Sequence, residues 1–238
     1  MESVFRHFNG GYQNFELLYL IMAEIIINGK PFVFEEKPWI CDDITFKKEY
    51  AQEGLKLMKK ILDKNGIVFL LNFGTLLGAV REHDFIGHDI DVDLAIYEKD
   101  VDKLVSIIPD LYEEGIKLCR YHNGIIYSFL YKNVILDIDV YLHSEFPYKY
   151  RYWRLVSKLF PKFYVEETEK IPFNGGLYDV PKNPERFVKY MYGKNWRIPQ
   201  KGKHARLYPR WMIHIHIGIF IARCYRYAKR HLLPQKNI

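Results

Sequence analysis

The sequence predicts an α+β domain built around a sheet, and three observations carry that prediction. Apolar residues recur at helical spacing from Thr45 to Asn65. A short apolar run, Ile67–Asn72, leads directly into Phe73-Gly74-Thr75, and Ile90–Tyr97 alternates acids with aliphatic residues. Helical and strand periods that alternate in this way call for a sheet with helices packed on it.

Taken in chain order, Ala23–Glu35 alternates about Gly29-Lys30 and predicts a small hairpin. Phe46, Tyr50, Leu55, Met58, Ile61 and Leu62 mark one face of the Thr45–Asn65 helix, and Asn65-Gly66 supplies its stop. After the buried strand Ile67–Asn72, a helix is expected over Thr75–Arg81. In the strand Ile90–Tyr97, Asp91 and Asp93 fall on one face because successive strand side chains point to opposite sides. A helix is expected over Lys99–Leu111, then strands over Ile125–Leu130 and Val134–Leu142, the second with Asp137 and Asp139 on a single face. Tyr148–Phe163 is basic and aromatic and gives no clear period. Asn183-Pro184-Glu185 offers an N-cap, a proline at the first helical position and an early acid, so a helix from about 184 to 192 should stop at Gly193.

The chain has 238 residues, 49% of them hydrophobic, enough for one domain of 45–199 with an N-terminal extension over 1–44 and a basic aromatic segment over 200–238. Its 35 Lys and Arg against 29 Asp and Glu give a formal charge of +6, which favours anionic partners. Cys41, Cys119 and Cys224 lie far apart and are odd in number, which points to a reducing, cytoplasmic setting. Phe15–Ile27 is broken by Glu16 and Glu24 and reads as core rather than as a signal or a spanning helix. In 205–233 the isoleucines fall at every second position, bracketed by basic residues. That stretch reads either as an element packed on the domain or as a peripheral contact with the inner face of the membrane. His214 and His216 have no nearby Cys or acid to complete a zinc site. The basic residues lie among apolar neighbours rather than along a groove-reading element, which argues against nucleic acid as a partner.

The chemistry concentrates between Gly74 and Asp93. Carboxylates at i and i+2 on a strand lie roughly 6–7 Å apart on the same face, and Asp89-Ile90-Asp91-Val92-Asp93 offers that spacing twice. Such acids suit Mg2+ or Mn2+, which phosphoryl transfer uses to offset charge on phosphate oxygens. Asp137 or Asp139 can supply a further acid from a neighbouring strand. Gly74 permits close backbone approach, Thr75 offers a hydroxyl, the following helix presents its positive end, and Arg81 adds a cation, so these three are candidates for binding an anionic donor.

The order strand, Gly-Thr, helix, acid-bearing strand resembles the polymerase-beta-type nucleotidyltransferase superfamily, whose fold is a mixed sheet flanked by helices. Within it, Phe73-Gly-Thr-Leu-Leu-Gly-Ala-Val-Arg81, Phe85-Ile86 and Asp89-Ile-Asp-Val-Asp93 are similar to the signature of the LicD/fukutin family. Val180-Pro-Lys-Asn-Pro-Glu-Arg-Phe187 with Tyr192-Gly193-Lys-Asn-Trp196 resembles its C-terminal block. Gly87-His88 stands where the family usually has Pro-Trp, and Asp84 where it has Gly. The resemblance implies transfer of a phospho-alcohol group from a CDP-alcohol donor to a glycan or lipid-linked glycan acceptor, with release of CMP. It assigns Asp91, Asp93 and Asp137 to catalysis and metal binding, Asp89 as an extra metal ligand, and Gly74, Thr75 and Arg81 to the donor. The alternatives are nucleotidyl transfer from an NTP and a catalytically inactive membrane-associated binding module.

Overall fold

A computed structural model describes residues 21–37, 46–144, 149–155 and 158–199. The readings made for 205–233, and for His214 and His216 within it, lie outside the described residues.

Strands β1 (Ile21–Ile27) and β2 (Lys30–Glu36) form the expected hairpin. Its two-residue turn, Asn28-Gly29, has φ of 51° and 75°, the left-handed pair that matches the twist of a tight hairpin. Helix α1 (Lys48–Lys64) buries Ala51, Leu55, Met58 and Leu62 along one stripe. It ends where the Asn65 side-chain amide donates to the Ile61 carbonyl at 2.8 Å and Gly66 takes φ of 62°. Then come β3 (Phe69–Leu71), α2 (Phe73–Arg81) and β4 (Asp91–Tyr97).

The helix expected over Lys99–Leu111 is instead a single 3-10 turn, Glu98–Asp100, followed by two short helices, α3 (Val101–Ser106) and α4 (Ile108–Glu113). Pro109 is the cause: it has no N–H to donate, and its ring crowds the carbonyl four residues back, so it opens a new helix rather than continuing the old one. Strands β5 (Lys117–His122), β6 (Ile126–Tyr131) and β7 (Val134–His143) follow, the first not anticipated. The segment without a clear period holds β8 (Tyr152–Leu155), β9 (Lys158–Pro161) and the single-turn α5 (Lys162–Val165). Strands β10 (Thr168–Phe173) and β11 (Gly176–Pro181) make a second unanticipated hairpin before α6 (Pro184–Tyr192). Asn183 occupies the N-cap position of α6, but its φ of 55° is left-handed and its side chain makes no capping bond. Pro184 and the Gly193 stop stand as expected.

The main sheet is mixed, with strand order β10-β11-β3-β4-β7-β6-β5; β8 extends it from the far end of β7, and β9 pairs with β8. The β4–β7 and β11–β3 pairs are parallel and the others antiparallel. Pro172 is tolerated in β10 because that strand is at the sheet edge, where a missing N–H costs no ladder bond. Helix α1 lies on the face carrying Leu136, where Gly54 admits close contact: a Cβ there would stand 3.0 Å from the Tyr131 ring and 3.3 Å from Leu136. Helix α2 lies on the opposite face, with α6 packed against it.

The N-terminal hairpin forms its own two-stranded sheet yet is fastened to the domain. Phe32 meets Tyr112 edge-on at 4.9 Å. The Lys37 N–H donates to the Cys119 carbonyl at 2.8 Å, and Arg120 Nε donates back to the Lys37 carbonyl at 3.2 Å. Among the described residues no helix is long and apolar enough to cross a membrane.

Candidate active site

The site starts at the turn between β3 and α2. The Asn72 N–H donates to the Asp93 carbonyl at 3.0 Å, the Asp93 N–H donates to Thr75 Oγ1 at 2.9 Å, and the Gly74 N–H donates to Asp93 Oδ2 at 2.8 Å. Between them Phe73 has φ of 32°, an uncommon value for a residue with a side chain, held by the bonds on either side. A Cβ on Gly74 would stand 2.9 Å from both Asp89 carboxylate oxygens and 3.1 Å from Asp93 Oδ2. Glycine is therefore needed here so that two carboxylates can reach the backbone at the start of α2, where the helix dipole favours negative charge.

Gly78 sets the other wall. A Cβ there would be 2.5 Å from the Asp84 carbonyl, so the loop after α2 lies directly on the helix, with Phe85 and Ile86 buried beneath it. That loop delivers Asp89.

Strand alternation and parallel register do the rest. Asp93 pairs directly with Asp137, and Ala95 with Asp139. Asp137 pairs in turn with Ser128, and Ser128 with Arg120, so Asp93, Asp137, Ser128 and Arg120 form one row across four strands. Ser128 is fully buried and Arg120 is 6% exposed.

The electrostatics of this row are those of a cluster short of positive charge. Burial pushes Asp89 up to about 6. Burial, with Asp137 and Asp89 nearby, pushes Asp91 up to about 7. Asp93 is raised well above the carboxylate range by burial and by Asp91, Asp139, Asp137 and Asp89. Asp137 is raised by burial, against the Ser128 hydroxyl and the Arg120 guanidinium. Asp89 Oδ2 and Asp137 Oδ1 are buried with no hydrogen-bond partner. Orphaned carboxylate oxygens on two groups that both raise Asp91 and Asp93 fit a hard divalent cation, whose charge would compensate both. Among the described residues no group of three or more His, Cys, Asp or Glu side chains is disposed to hold a metal ion, so a cation here would need water and substrate phosphate to complete its shell.

The candidate donor residues divide. Gly74 lines the acid cluster. Thr75 is fully buried and its hydroxyl is taken by the Asp93 N–H, so it braces the acid strand instead of facing the cleft. Arg81 also has its donors engaged: Nη1 reaches the Trp196 carbonyl at 3.2 Å, and Nε and Nη2 hold Glu82. It ties α2 to the C-terminal block while its charge favours ionised Asp89.

Sequence reasoning passed over Arg120, Ser128 and Tyr192. The first two are visible only through strand register. Tyr192, at the end of α6, is partly buried, and burial together with Asp93 and Asp89 raises its phenol well above the usual range. Its place in the Tyr-Gly-x-x-Trp block was the available signal.

A mixed sheet in which a strand, a Gly-Thr turn and a helix lead to an acid-bearing strand, with a further acid on the adjacent parallel strand, defines a nucleotidyltransferase-type domain. Residues 66–183 match the family described as LicD/FKTN/FKRP, nucleotidyltransferase domain. The chain belongs to the LicD/fukutin family. The ribitol-5-phosphate transferase FKTN of Mus musculus is 32% identical over 171 residues, covering 67% of this chain and 36% of its own length. The Homo sapiens FKTN is 30% identical over 169 residues, covering 66% and 35%. An uncharacterized protein of Rickettsia typhi is 27% identical over 188 residues, covering 76% and 55%. The chain thus spans about a third of the length of the FKTN relatives. The solved structure of the antibiotic-resistance factor ANT(2'')-Ia superposes on 78% of this chain and 98% of its own at 12% identity, with a TM-score of 0.47.

Proposed function

We propose that this protein transfers a phospho-alcohol group, such as phosphocholine, ribitol phosphate or glycerol phosphate, from a CDP-linked donor to a hydroxyl of a glycan or its lipid-linked precursor, releasing CMP. The observation that carries this reading is the row in which Asp93 faces Asp137 across parallel strands, with Asp91 on the same face and Asp89 at the start of α2. The relatives named as ribitol-5-phosphate transferases favour a phospho-alcohol as the moving group.

Asp91 and Asp93, with Asp89 and Asp137 flanking them, would hold Mg2+ or Mn2+. Bound there, the cation supplies charge neutralisation at the phosphate oxygens. The chain's own part is to fix the acids. The Gly74 N–H and Thr75 Oγ1 lock Asp93, and the buried sheet places Asp137 beside it. The acceptor oxygen attacks the phosphorus that carries the alcohol and forms a new P–O bond. The bridging P–O bond to CMP breaks, and CMP leaves with the electron pair. The hydroxyl proton passes to Asp137, the acid that the register sets beside Asp93.

The test is incubation with CDP-choline, CDP-ribitol and CDP-glycerol, Mn2+ and glycan acceptors, with CMP release read by chromatography. Asp91→Ala should lower release by about a thousandfold or more. Undiminished release in Asp91→Ala, or release that persists in a chelator, would sink this mechanism. Pyrophosphate release from an NTP would replace it with nucleotidyl transfer.

A further inference from the structure

Asn72 stands at the N-cap of α2, where an asparagine ordinarily directs its side-chain oxygen to a free N–H of the first helical turn. Here it makes no such bond. The Gly74 N–H, one of the donors it would take, is held by Asp93 Oδ2 instead. Asn72 is 1% exposed, and neither its Oδ1 nor its Nδ2 has a hydrogen-bond partner among the described residues. A buried amide with both ends unpaired costs free energy that nothing in the fold itself offsets.

The strand register fixes what lies beside that amide. The β3–β4 ladder pairs Leu70 with Ala95 and Leu71 with Leu94, and its next step, closed by the Asn72 N–H on the Asp93 carbonyl at 3.0 Å, sets Asn72 opposite Asp93. Directly opposed residues of an antiparallel pair share one face, with Cβ atoms about 4.5–5.5 Å apart. Asn72 therefore flanks Asp93 on one side as Asp137 flanks it on the other. Asp137 Oδ1 and Asp89 Oδ2 are likewise buried and unpaired, and Asp89 meets Asp93 over Gly74. Three parts of the chain thus bring unpaired oxygens around one aspartate. A phosphate or water oxygen needs about 2.8 Å from each partner, whereas Mg2+ sits about 2.1 Å from its ligands, so the guest that fits among such enclosed atoms is the cation. The described His, Cys, Asp and Glu side chains do not make a metal site by themselves. A neutral carboxamide oxygen adds a ligand without adding to the repulsion among the acids.

We propose that Asn72 is a metal ligand of this site, its side-chain Oδ1 coordinating the divalent cation held by Asp91 and Asp93. This deepens the phosphotransferase reading and rests on it for the presence of a cation there. Asp93 would then have a double part: by taking the Gly74 N–H it releases the Asn72 amide from capping α2 and leaves it for the ion.

The test compares Asn72→Leu, which keeps the size of the side chain and removes both polar atoms, with Asn72→Asp, which keeps an oxygen in place. Mn2+ is titrated into each full chain and the free ion read by electron paramagnetic resonance, beside thermal melts in chelator. Asn72→Leu should raise the Mn2+ Kd by about tenfold or more. Its metal-free Tm should be no lower than that of the wild type, since no side-chain hydrogen bond is lost. Asn72→Asp should bind Mn2+ at least as tightly as the wild type. An unchanged Kd in Asn72→Leu, equal losses in the two variants, or a lowered Tm with an intact Kd overturns the proposal. A measurement that needs no variant uses wild-type protein whose asparagine side-chain carbonyls carry a magnetic carbon isotope. Electron–nuclear double resonance of bound Mn2+ should resolve the coupling of a directly bound carbonyl, and its absence overturns the assignment even if neither variant folds. Mn2+ binding with that coupling but no CMP release from any CDP-alcohol overturns the transferred-group reading and leaves Asn72 standing. Mn2+-dependent CMP release without the coupling does the reverse, and wild-type protein that binds no Mn2+ overturns both.

Discussion

Strands β4 and β7 present two opposite surfaces. Toward α1 the register sets Val92 against Leu136, Leu94 against Ile138 and Ile96 against Val140, and all six are fully buried. Toward α2 the same two strands set Asp91 against Ile135, Asp93 against Asp137 and Ala95 against Asp139. One surface is a close-packed aliphatic seam whose burial stabilises the fold. The other gathers carboxylates that repel one another and resist ionisation. A single strand pair thus keeps its aliphatic residues and its clustered acids apart by nothing more than the two-residue alternation of its side chains.

Substitutions on the two surfaces should therefore have opposite signatures. Asp91→Ala, which under the proposed function should all but abolish turnover, should leave the metal-free protein as stable as the wild type or more so, because it removes a buried charge short of compensation. Leu136→Ala should do the reverse, costing about 2–5 kcal/mol in denaturant unfolding while the folded fraction keeps its kcat. If Asp91→Ala unfolds the protein, or Leu136→Ala selectively removes kcat, the division of labour is wrong.

A smaller effect sharpens the comparison at the edge of the acid surface. Gly74→Ala places a methyl group 2.9 Å from the Asp89 oxygens. The carboxylates must shift, and activity should fall by roughly ten- to a hundredfold with little change in Tm. Activity near that of the wild type would mean that Asp89 need not approach this turn.

The smallest effect expected is a pH dependence of stability that the aliphatic surface cannot produce. Asp89 and Asp91 titrate at about 6 and about 7 in the folded chain, against 3.8 as ordinary carboxylates. The folded protein therefore keeps protons that the unfolded chain has released, so metal-free stability should fall as pH rises from about 4 through about 7. Melts in chelator across that window check the sign. Added Mn2+ should raise Tm more at pH 8 than at pH 5, and a Tm that rises with pH in chelator would contradict the clustering of these acids.

Much of this surface was legible because its determinants are local. The alternation in Ile90–Tyr97 places Asp91 and Asp93 on one face whatever the rest of the chain does. Asn28-Gly29 marks a hairpin in the same way. The same dipeptide at Asn174-Gly175 also closes a two-residue turn, with φ of 46° and 78°. The strands beside it were harder to see, because charged Glu169 and Lys170 and the proline Pro172 blunt the alternation of edge strand β10. Pro109 was in plain view, and weighing its missing N–H would have split the predicted helix. Arg120 and Tyr192 belong to another class. Their proximity to the acids comes from the register of β5 on β6 and from the docking of α6 on α2, which are contacts made far along the chain and leave no local periodicity. Thr75 shows the limit of the motif itself: the hydroxyl expected to face a phosphate serves the backbone of Asp93 instead.

That last bond belongs to a set with a mechanical meaning. The amide, the carbonyl and the carboxylate of Asp93 are each taken by the turn, through Thr75, Asn72 and Gly74 respectively. Three anchor points fix a rigid body, so this aspartate and the start of α2 form one piece of hardware whose internal spacing does not adjust. Any adaptation to ligands of different size must then come from the parts facing that piece: the loop that delivers Asp89, the strand bearing Asp137 and the end of α6.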